Sequence, residues 1–250
     1  MTCTVAVLQS NYLPWKGYFD IIHDADLFIF YDDVQYTKND WRNRNKVKVP
    51  AGTAWITVPV GTGLDRRICD VEIRDQRWQV KHWKTFRQYY SGSPYYPDCA
   101  EFLRELYLER RWNLLSELNQ HAIRTIARDF LGLKTRFADS RSYAPKGRRL
   151  ARLLDVLRAV GASRYISGPS ARTYVDPEAF GAAGIELEFK SYDGYPSYAQ
   201  QYLPFDHSVT IVDLLCNAGP AAAFYIWGWR QHPEPLSASA TPQVRAEPHD

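Results

Sequence analysis

The chain has 250 residues, 45% hydrophobic and 24% charged, with 31 Lys and Arg against 28 Asp and Glu for a formal net charge of +3. That length allows one large domain, or a domain with an insert, and a sizeable core. The charge balance gives no reason to expect a nucleic-acid or membrane partner unless a local cluster provides one.

Thr4 to Leu8 is a short apolar, β-branched run that predicts a buried strand. Asn11, Pro14 and Gly17 punctuate a loop, and Tyr18, Phe19, Ile21 and Ile22 follow at helical spacing, so a helix is predicted from Pro14 or Trp15. Leu27 to Phe30 predicts a second buried strand, completing a βαβ unit. Trp55 to Val60 and Val71 to Ile73 predict antiparallel strands joined by Gly61-Thr62-Gly63. Trp78 to Tyr90, Cys99 to Leu108 and Trp112 to Phe130 predict helices. On the last of these, Leu115, Leu118, Ala122, Ile126 and Phe130 keep the i, i+3, i+4 rhythm.

The βα texture then returns. Lys134 to Ala138, Arg164 to Ile166 and Ile185 to Lys190 predict strands. Gly147 to Val160, Pro177 to Ala183, Val209 to Cys216 and Ala221 to Trp227 predict helices. The sum is an α/β fold: a mostly parallel, Rossmann-like sheet with helices on both faces, plus a β-hairpin and helical insert at about 50–132. Residues 1–229 form a single domain, and the Pro-, Ser- and Ala-rich stretch 230–250 is predicted to be a disordered tail. No stretch approaches 18 uninterrupted apolar residues, and the N-terminus lacks a basic region followed by an apolar run. Cys3, Cys69, Cys99 and Cys216 form no C-x-x-C pair, so no zinc site is expected. A cytoplasmic protein without a membrane span is the expectation.

In open parallel α/β sheets, ligands bind beyond the carboxyl ends of the strands. Two segments leave such ends: Gln9 to Tyr18 and Tyr31 to Tyr36. If their strands are adjacent, Gln9, Asn11 and Lys16 face Asp32, Asp33 and Gln35. The alternative for Asp32-Asp33 is a turn cap. Next, Lys38, Arg42, Arg44, Lys46 and Lys48 fall at alternate positions, with Asn39, Trp41, Asn43 and Asn45 between them. An extended chain puts such cations on one side, where they suit phosphate or shield a solvated edge strand. His82, between Lys81 and Lys84, has its neutral form favoured and suits a general base, or is a surface histidine. Ser167-Gly168-Pro169-Ser170 leaves a strand end and offers backbone N–H groups to an anion. The chain carries 8 Trp, 17 Tyr and 11 Phe. Several lie beside cations, as Trp15 and Trp41 do, an arrangement that suits a sugar, a base or another flat ligand.

The ordered series Gln9-x-Asn11-Tyr12-x-Pro14-Trp15-x-Gly17-Tyr18-Phe19, Asp32-Asp33-Val34-Gln35-Tyr36 and Trp41-x-Asn43-Arg44-Asn45 resembles the WbqC-like protein family. So do Trp55-x-Thr57-Val58-Pro59-Val60, the Ser167-Gly168 turn and Asp213-Leu214-Leu215-Cys216-Asn217. The resemblance runs from Thr4 to Gly228. Ser10 stands where the family is expected to carry Pro. The resemblance implies a role in O-antigen or other glycan assembly, or in natural-product pathways, with transfer of an acyl or aminoacyl group to an activated or amino sugar.

Three functions are open at this point. The first is a transferase with a phosphorylated or nucleotide-linked sugar between the two loops. In it the basic row including Arg44 and Lys46 holds phosphate, Trp15 and Trp41 stack on the ligand, and Asp32, Asp33 or His82 is the base, with Lys16 also in the catalytic set. Tyr12, Gly17, Tyr18, Gln35, Tyr36, Asn43, Asn45, Ser167, Ser170 and Asn217 complete the binding residues. The second is an adenylate-forming or nucleotidyl-transferring enzyme, because Trp15-Lys16-Gly17-Tyr18 has the placement of the H-x-G-H motif of enzymes such as pantothenate synthetase, with aromatic residues at both His positions. The third is a non-catalytic subunit of a biosynthetic complex. The cofactor expected is a nucleotide, ATP or a nucleotide sugar, with Mg²⁺ held through that phosphate by Asp32 and Asp33.

Overall fold

Two apolar runs of four and five residues begin the sheet in the computed structural model, which describes residues 2–173 and 175–232. They are β1 (Thr4–Leu8) and β2 (Leu27–Phe30), joined by α1 (Lys16–His23). A hairpin follows, β3 (Arg44–Val49) and β4 (Gly52–Thr57), then three helices: α2 (Arg77–Tyr90), α3 (Tyr96–Arg104) and α4 (Leu115–Thr125). The chain returns to the sheet at β5 (Arg136–Asp139), crosses through α5 (Arg149–Ala159) to β6 (Arg164–Ser167), and through α6 (Pro177–Ala182) to β7 (Glu186–Phe189). It closes with α7 (Ile211–Ala218) and short 3₁₀ turns.

The five-stranded sheet has the order β5-β2-β1-β6-β7, and every neighbouring pair is parallel. By position in the chain, the third, second, first, fourth and fifth strands lie side by side. This is a doubly wound order, and it reverses between β1 and β6. Strand alternation sorts the core into two layers. Ala6, Phe28, Phe30 and Ile166 pack with α1, the insert helices and α7. Val5, Val7, Leu27, Ile29 and Tyr165 pack with α5 and α6. Two-sided burial explains why these strands read as unbroken apolar runs.

The hairpin differs from the sequence expectation. Trp55 lies opposite Lys46, not opposite the Val71–Ile73 segment, and Pro50-Ala51 makes the reversal. A two-residue turn closes the shortest loop available, whereas the Gly61–Gly63 pairing would need a longer one. Val71 instead hydrogen-bonds to the entry of α4: Leu115 N donates to Val71 O at 2.8 Å.

Among the described residues, the stretch Ile211–Arg230 is long and apolar enough to cross a membrane by length and composition, and 56% of its window is buried inside the fold. It contains the buried Asp213, which accepts hydrogen bonds from Tyr90, Tyr198 and Gln200. Those bonds fix it as a packing element. Arg230, expected in the tail, donates to buried Asp20 at 2.9 Å, so the ordered chain continues past residue 229. The rest of the expected tail, 233–250, lies outside the described residues.

Candidate active site

The reversal between β1 and β6 leaves a crevice at their carboxyl ends, because the connections from the two strands run to opposite faces of the sheet. The crevice holds a cavity of about 1140 Å³. Val7, Leu8 and Gln9 enter it from the end of β1, Tyr31 and Asp33 from beyond β2, Tyr165 and Ser167 from β6, and Gly147, Arg148 and the first two turns of α5 from the opposite side. Four arginines line it, Arg67, Arg148, Arg149 and Arg152, against the single carboxylate of Asp33. Asp33 accepts from Ser140 Oγ at 2.6 Å and from Arg152. Arg152 also donates to Pro145 O. Arg148 and Arg149 are exposed. Arg149 stands at φ 51°, a left-handed conformation unusual outside glycine.

The two loops expected to meet do meet in part. β1 and β2 are adjacent and parallel, so Gln9, Asp33, Gln35 and Ser167 all reach the same cavity. Asp32 does not. It is fully buried, accepting from Ser10 N at 2.8 Å and from Gln120 Nε2 at 2.9 Å. Burial raises its pKa, against those two hydrogen bonds. Asp32 therefore ties the first loop to α4, and the Asp32–Asp33 pair expected to hold Mg²⁺ is not presented as a pair.

A second, smaller cavity of about 290 Å³ lies beside the first loop, lined by Asn11, Pro14, Trp15, Trp41, Asn45 and Ser208. Its wall at Trp15 rests on Gly17. A Cβ at Gly17 would stand 2.3 Å from the indole ring, so only glycine lets Trp15 lie there. Tyr192 meets the same indole edge-on at 4.8 Å. Arg42 joins the two cavities: it donates to Asn11 Oδ1 at 2.5 Å and to Gln9 Oε1.

The basic row does not hold the large cavity. Arg44 donates to Asn39 O and stacks on Trp55 at 4.4 Å. Lys46 lies 5.6 Å from the same ring. Lys48 is 1% exposed and donates to Pro204 O. Alternation does place Arg44 and Lys46 on one hairpin face, with Asn45 and Val47 buried on the other. Lys48 breaks the pattern because the 204 segment covers it.

Other expected site residues serve the fold. His82 is buried, with Nδ1 2.8 Å from the Tyr12 hydroxyl, and Tyr12 also bonds to Tyr107. Burial, with help from Lys81, brings its pKa down to about 3. A base of that strength, enclosed in the core, is no general base near neutrality. Lys16 is 2% exposed. Its ammonium donates to Pro196 O at 3.3 Å and sits over Tyr195 at 4.7 Å, and burial lowers its pKa to about 8. It lines neither the large cavity nor the small one. Tyr18 donates to Gln9 O at 3.0 Å. Asn43 donates to Val58 O, and Asn45 to the carbonyls of Tyr12 and Leu13. Tyr36 is buried beneath Arg66. Asn217 donates to Asp213 O within α7. Ser170 is exposed on a 3₁₀ turn and lines neither cavity. Three acidic or imidazole groups, Asp20, His23 and Asp24, lie close enough to hold a metal. Lys190 and Arg230 already neutralise Asp20 there.

Sequence reasoning missed Arg67, Arg148, Arg149 and Arg152. The signal was present as Gly147-Arg148-Arg149 at the entrance of the helix that makes the crossover between the two halves of the sheet.

The WbqC-like protein family model matches residues 9–225. An uncharacterized protein of Mycobacterium tuberculosis (strain ATCC 25618 / H37Rv), Rv1507c, is 41% identical over 229 residues, covering 91% of this chain and 99% of that protein. No solved structure matches.

Proposed function

Because this chain belongs to the WbqC-like protein family, we propose that it is a group-transfer enzyme acting on an activated or amino sugar in glycan or glycosylated natural-product biosynthesis. The observation that carries this reading is the crevice at the β1/β6 reversal, where four arginines face one carboxylate. A cavity of about 1140 Å³ is large enough for a nucleotide-linked sugar. Guanidinium groups grip phosphate oxygens in a bidentate manner, and a concave low-dielectric wall strengthens the attraction.

In this reading Arg148 and Arg149 hold the phosphates, while Arg67, paired with Asp70, and Arg152, paired with Asp33, add positive wall around them. When a sugar amine attacks an acyl or aminoacyl group activated as an ester or thioester, the C–N bond forms as the donor's C–O or C–S bond breaks, the alcohol or thiol leaves with that electron pair, and a group near the amine takes its proton. Asp33 is the carboxylate in reach, aimed by Ser140 and Arg152. Gln9 and Ser167 orient the sugar. A phosphate-borne Mg²⁺ would find Asp33 alone as a protein carboxylate. Four free cysteines agree with a cytoplasmic setting.

The test is a thermal-shift and calorimetric screen of the full chain against nucleoside diphosphates, nucleotide sugars and their phosphate-free counterparts. Phosphorylated compounds should raise Tm, since a ligand bound to the native state stabilises it by mass action. Arg149→Ala should abolish the shift. Equal shifts from the phosphate-free compounds, or none from any, would refute the phosphate assignment.

A second reading, nucleotidyl transfer, has the strand order and the β1–α1 turn in its favour. Against it, Trp15 is packed on Gly17 and the Tyr18 hydroxyl is spent on Gln9 O. Neither supplies the positive donor that a phosphoryl transition state needs. Pyrophosphate release from ATP or CTP on adding acceptor amines would favour it over group transfer.

A further inference from the structure

The guanidinium of Arg42 has a consequence for both cavities. An arginine side chain only donates hydrogen bonds. Whatever it binds must present an oxygen, so the contacts to Gln9 Oε1 and Asn11 Oδ1 fix the orientation of both amides. The amide NH₂ of Gln9 is then left to the large crevice, and that of Asn11 to the small pocket. Among the described residues, neither Asn11 Nδ2 nor Ser208 Oγ makes a hydrogen bond. The small pocket thus keeps a donor and a hydroxyl free, while Asn45 beside them is committed to the carbonyls of Tyr12 and Leu13.

No charged side chain lines the small pocket, and its walls include the indoles of Trp15 and Trp41. Trp41 is 40% exposed, and Trp15 is held by Gly17 beneath it and Tyr192 at its edge. A volume of about 290 Å³ sits at the bottom of the range for ligand sites and admits one ring rather than a nucleotide. Uncharged walls of π-faces with a rim of amide and hydroxyl suit a molecule with a C–H face and a ring of hydroxyls.

We propose that the Trp15–Trp41 pocket is a subsite for a single pyranose ring, held in register with the arginine crevice by Arg42 acting as a positioning residue between Gln9 and Asn11. This rests on the group-transfer reading only for the ring's role, that of a second sugar ring beside the one that Gln9 and Ser167 orient in the crevice.

The test uses ligand-observed saturation-transfer NMR on the full chain with free neutral and amino pyranoses and with adenosine, alongside calorimetry with a nucleoside diphosphate. The expected result is saturation transfer to a pyranose that falls about tenfold in affinity in Trp41→Ala and is retained in Trp41→Phe, a loss on the scale of one aromatic contact. Gly17→Ala should weaken the sugar through the displaced Trp15. Nucleoside diphosphate binding should be unchanged in these variants. Arg42→Leu should weaken both ligands together, which loss of a pocket wall does not do. The proposal is overturned if no pyranose gives saturation transfer. It is equally overturned if transfer is the same in Trp41→Ala, or if adenosine rather than a sugar loses transfer in that variant. Failure of nucleotide binding with sugar binding intact would instead remove the crevice assignment and leave this one standing.

Discussion

The segments Arg42–Lys48 and Arg148–Arg152 are both rich in cations, yet they do opposite work. In the hairpin, Arg42 bonds to Gln9 and Asn11, Arg44 to Asn39 O and Lys48 to Pro204 O. At the start of α5, Arg148 and Arg149 make no hydrogen bond or ion pair among the described residues, and both face the crevice. A cation is available to a ligand only when the acceptors of its own chain do not reach it first. The hairpin is enclosed by the 204–211 segment, which also hydrogen-bonds to it through Thr210 N and Lys46 O at 2.9 Å. The α5 entrance follows the 3₁₀ turn Ser140–Tyr143, and the acceptors nearby are taken by other arginines: Pro145 O and Asp33 by Arg152, Asp139 by Arg141.

The strongest way to break this contrast is to remove Lys48. If its role is structural, Lys48→Ala loses a buried stem and leaves the Pro204 carbonyl without its donor. Losses of this kind cost about 2–4 kcal/mol. Chemical denaturation should show a drop of that order, with crevice affinity measured below the new transition unchanged. A stable variant that fails to bind nucleotide would reverse the assignment of the row.

The matching change at α5 is Arg149→Gly. Loss of a charge-assisted contact to phosphate should weaken a nucleoside diphosphate by about 10- to 100-fold, the equivalent of roughly 1.5–3 kcal/mol. Stability should move the other way and rise by about 1 kcal/mol, because glycine accepts the φ of 51° that arginine adopts only under strain. Calorimetry and denaturation on one variant read both signs. Weaker binding with lower stability would mean that Arg149 packs rather than waits.

His82 sharpens the hairpin side, since it bonds to the Thr57 backbone at the end of β4 as well as to Tyr12. Its folded-state pKa of about 3 lies below the ordinary 6.5. Between those values the unfolded chain carries a proton that the folded chain lacks. Stability therefore falls as pH drops from about 6.5 toward 3, with a slope of about 1.4 kcal/mol per pH unit for one proton. His82→Gln keeps the hydrogen-bonding capacity and cannot titrate, so it should lose that portion of the slope. An unchanged slope would mean that the histidine titrates in water.

What the sequence made legible follows the range of the physics. Strands β1 and β2 are two-sided apolar runs, and burial alone marks them. Gln9, Asp33, Gln35 and Ser167 were legible because strand ends in a parallel sheet converge whatever the side chains are. Lys16, Asp32 and His82 were not, because their burial depends on Pro196, Gln120 and Tyr12, partners that are distant in the chain or reached only through packing. Polarity in the sequence does not reveal whether a long-range acceptor exists. Arg148 and Arg149 were passed over for a related reason: a helix entrance reads as exposed, and only strand order shows that it lies over the reversal.

The smallest effect isolates what Arg44 does. Its guanidinium stacks on Trp55 at 4.4 Å, and Trp55 in turn leans on Trp41 with centroids 5.3 Å apart. Trp55 is 47% exposed, so the stack is worth about 0.5–1 kcal/mol. Arg44→Ala should lower stability by that amount and leave nucleotide affinity within twofold. Because Trp55 would then lose one of its supports, Trp41 should gain mobility, and pyranose affinity should fall by less than in Trp41→Ala. The order of the three readouts carries the argument: stability slightly down, sugar weaker, nucleotide unmoved. A nucleotide loss equal to that of Arg149→Gly would put the hairpin back on the phosphate and erase the distinction between the two arginine segments.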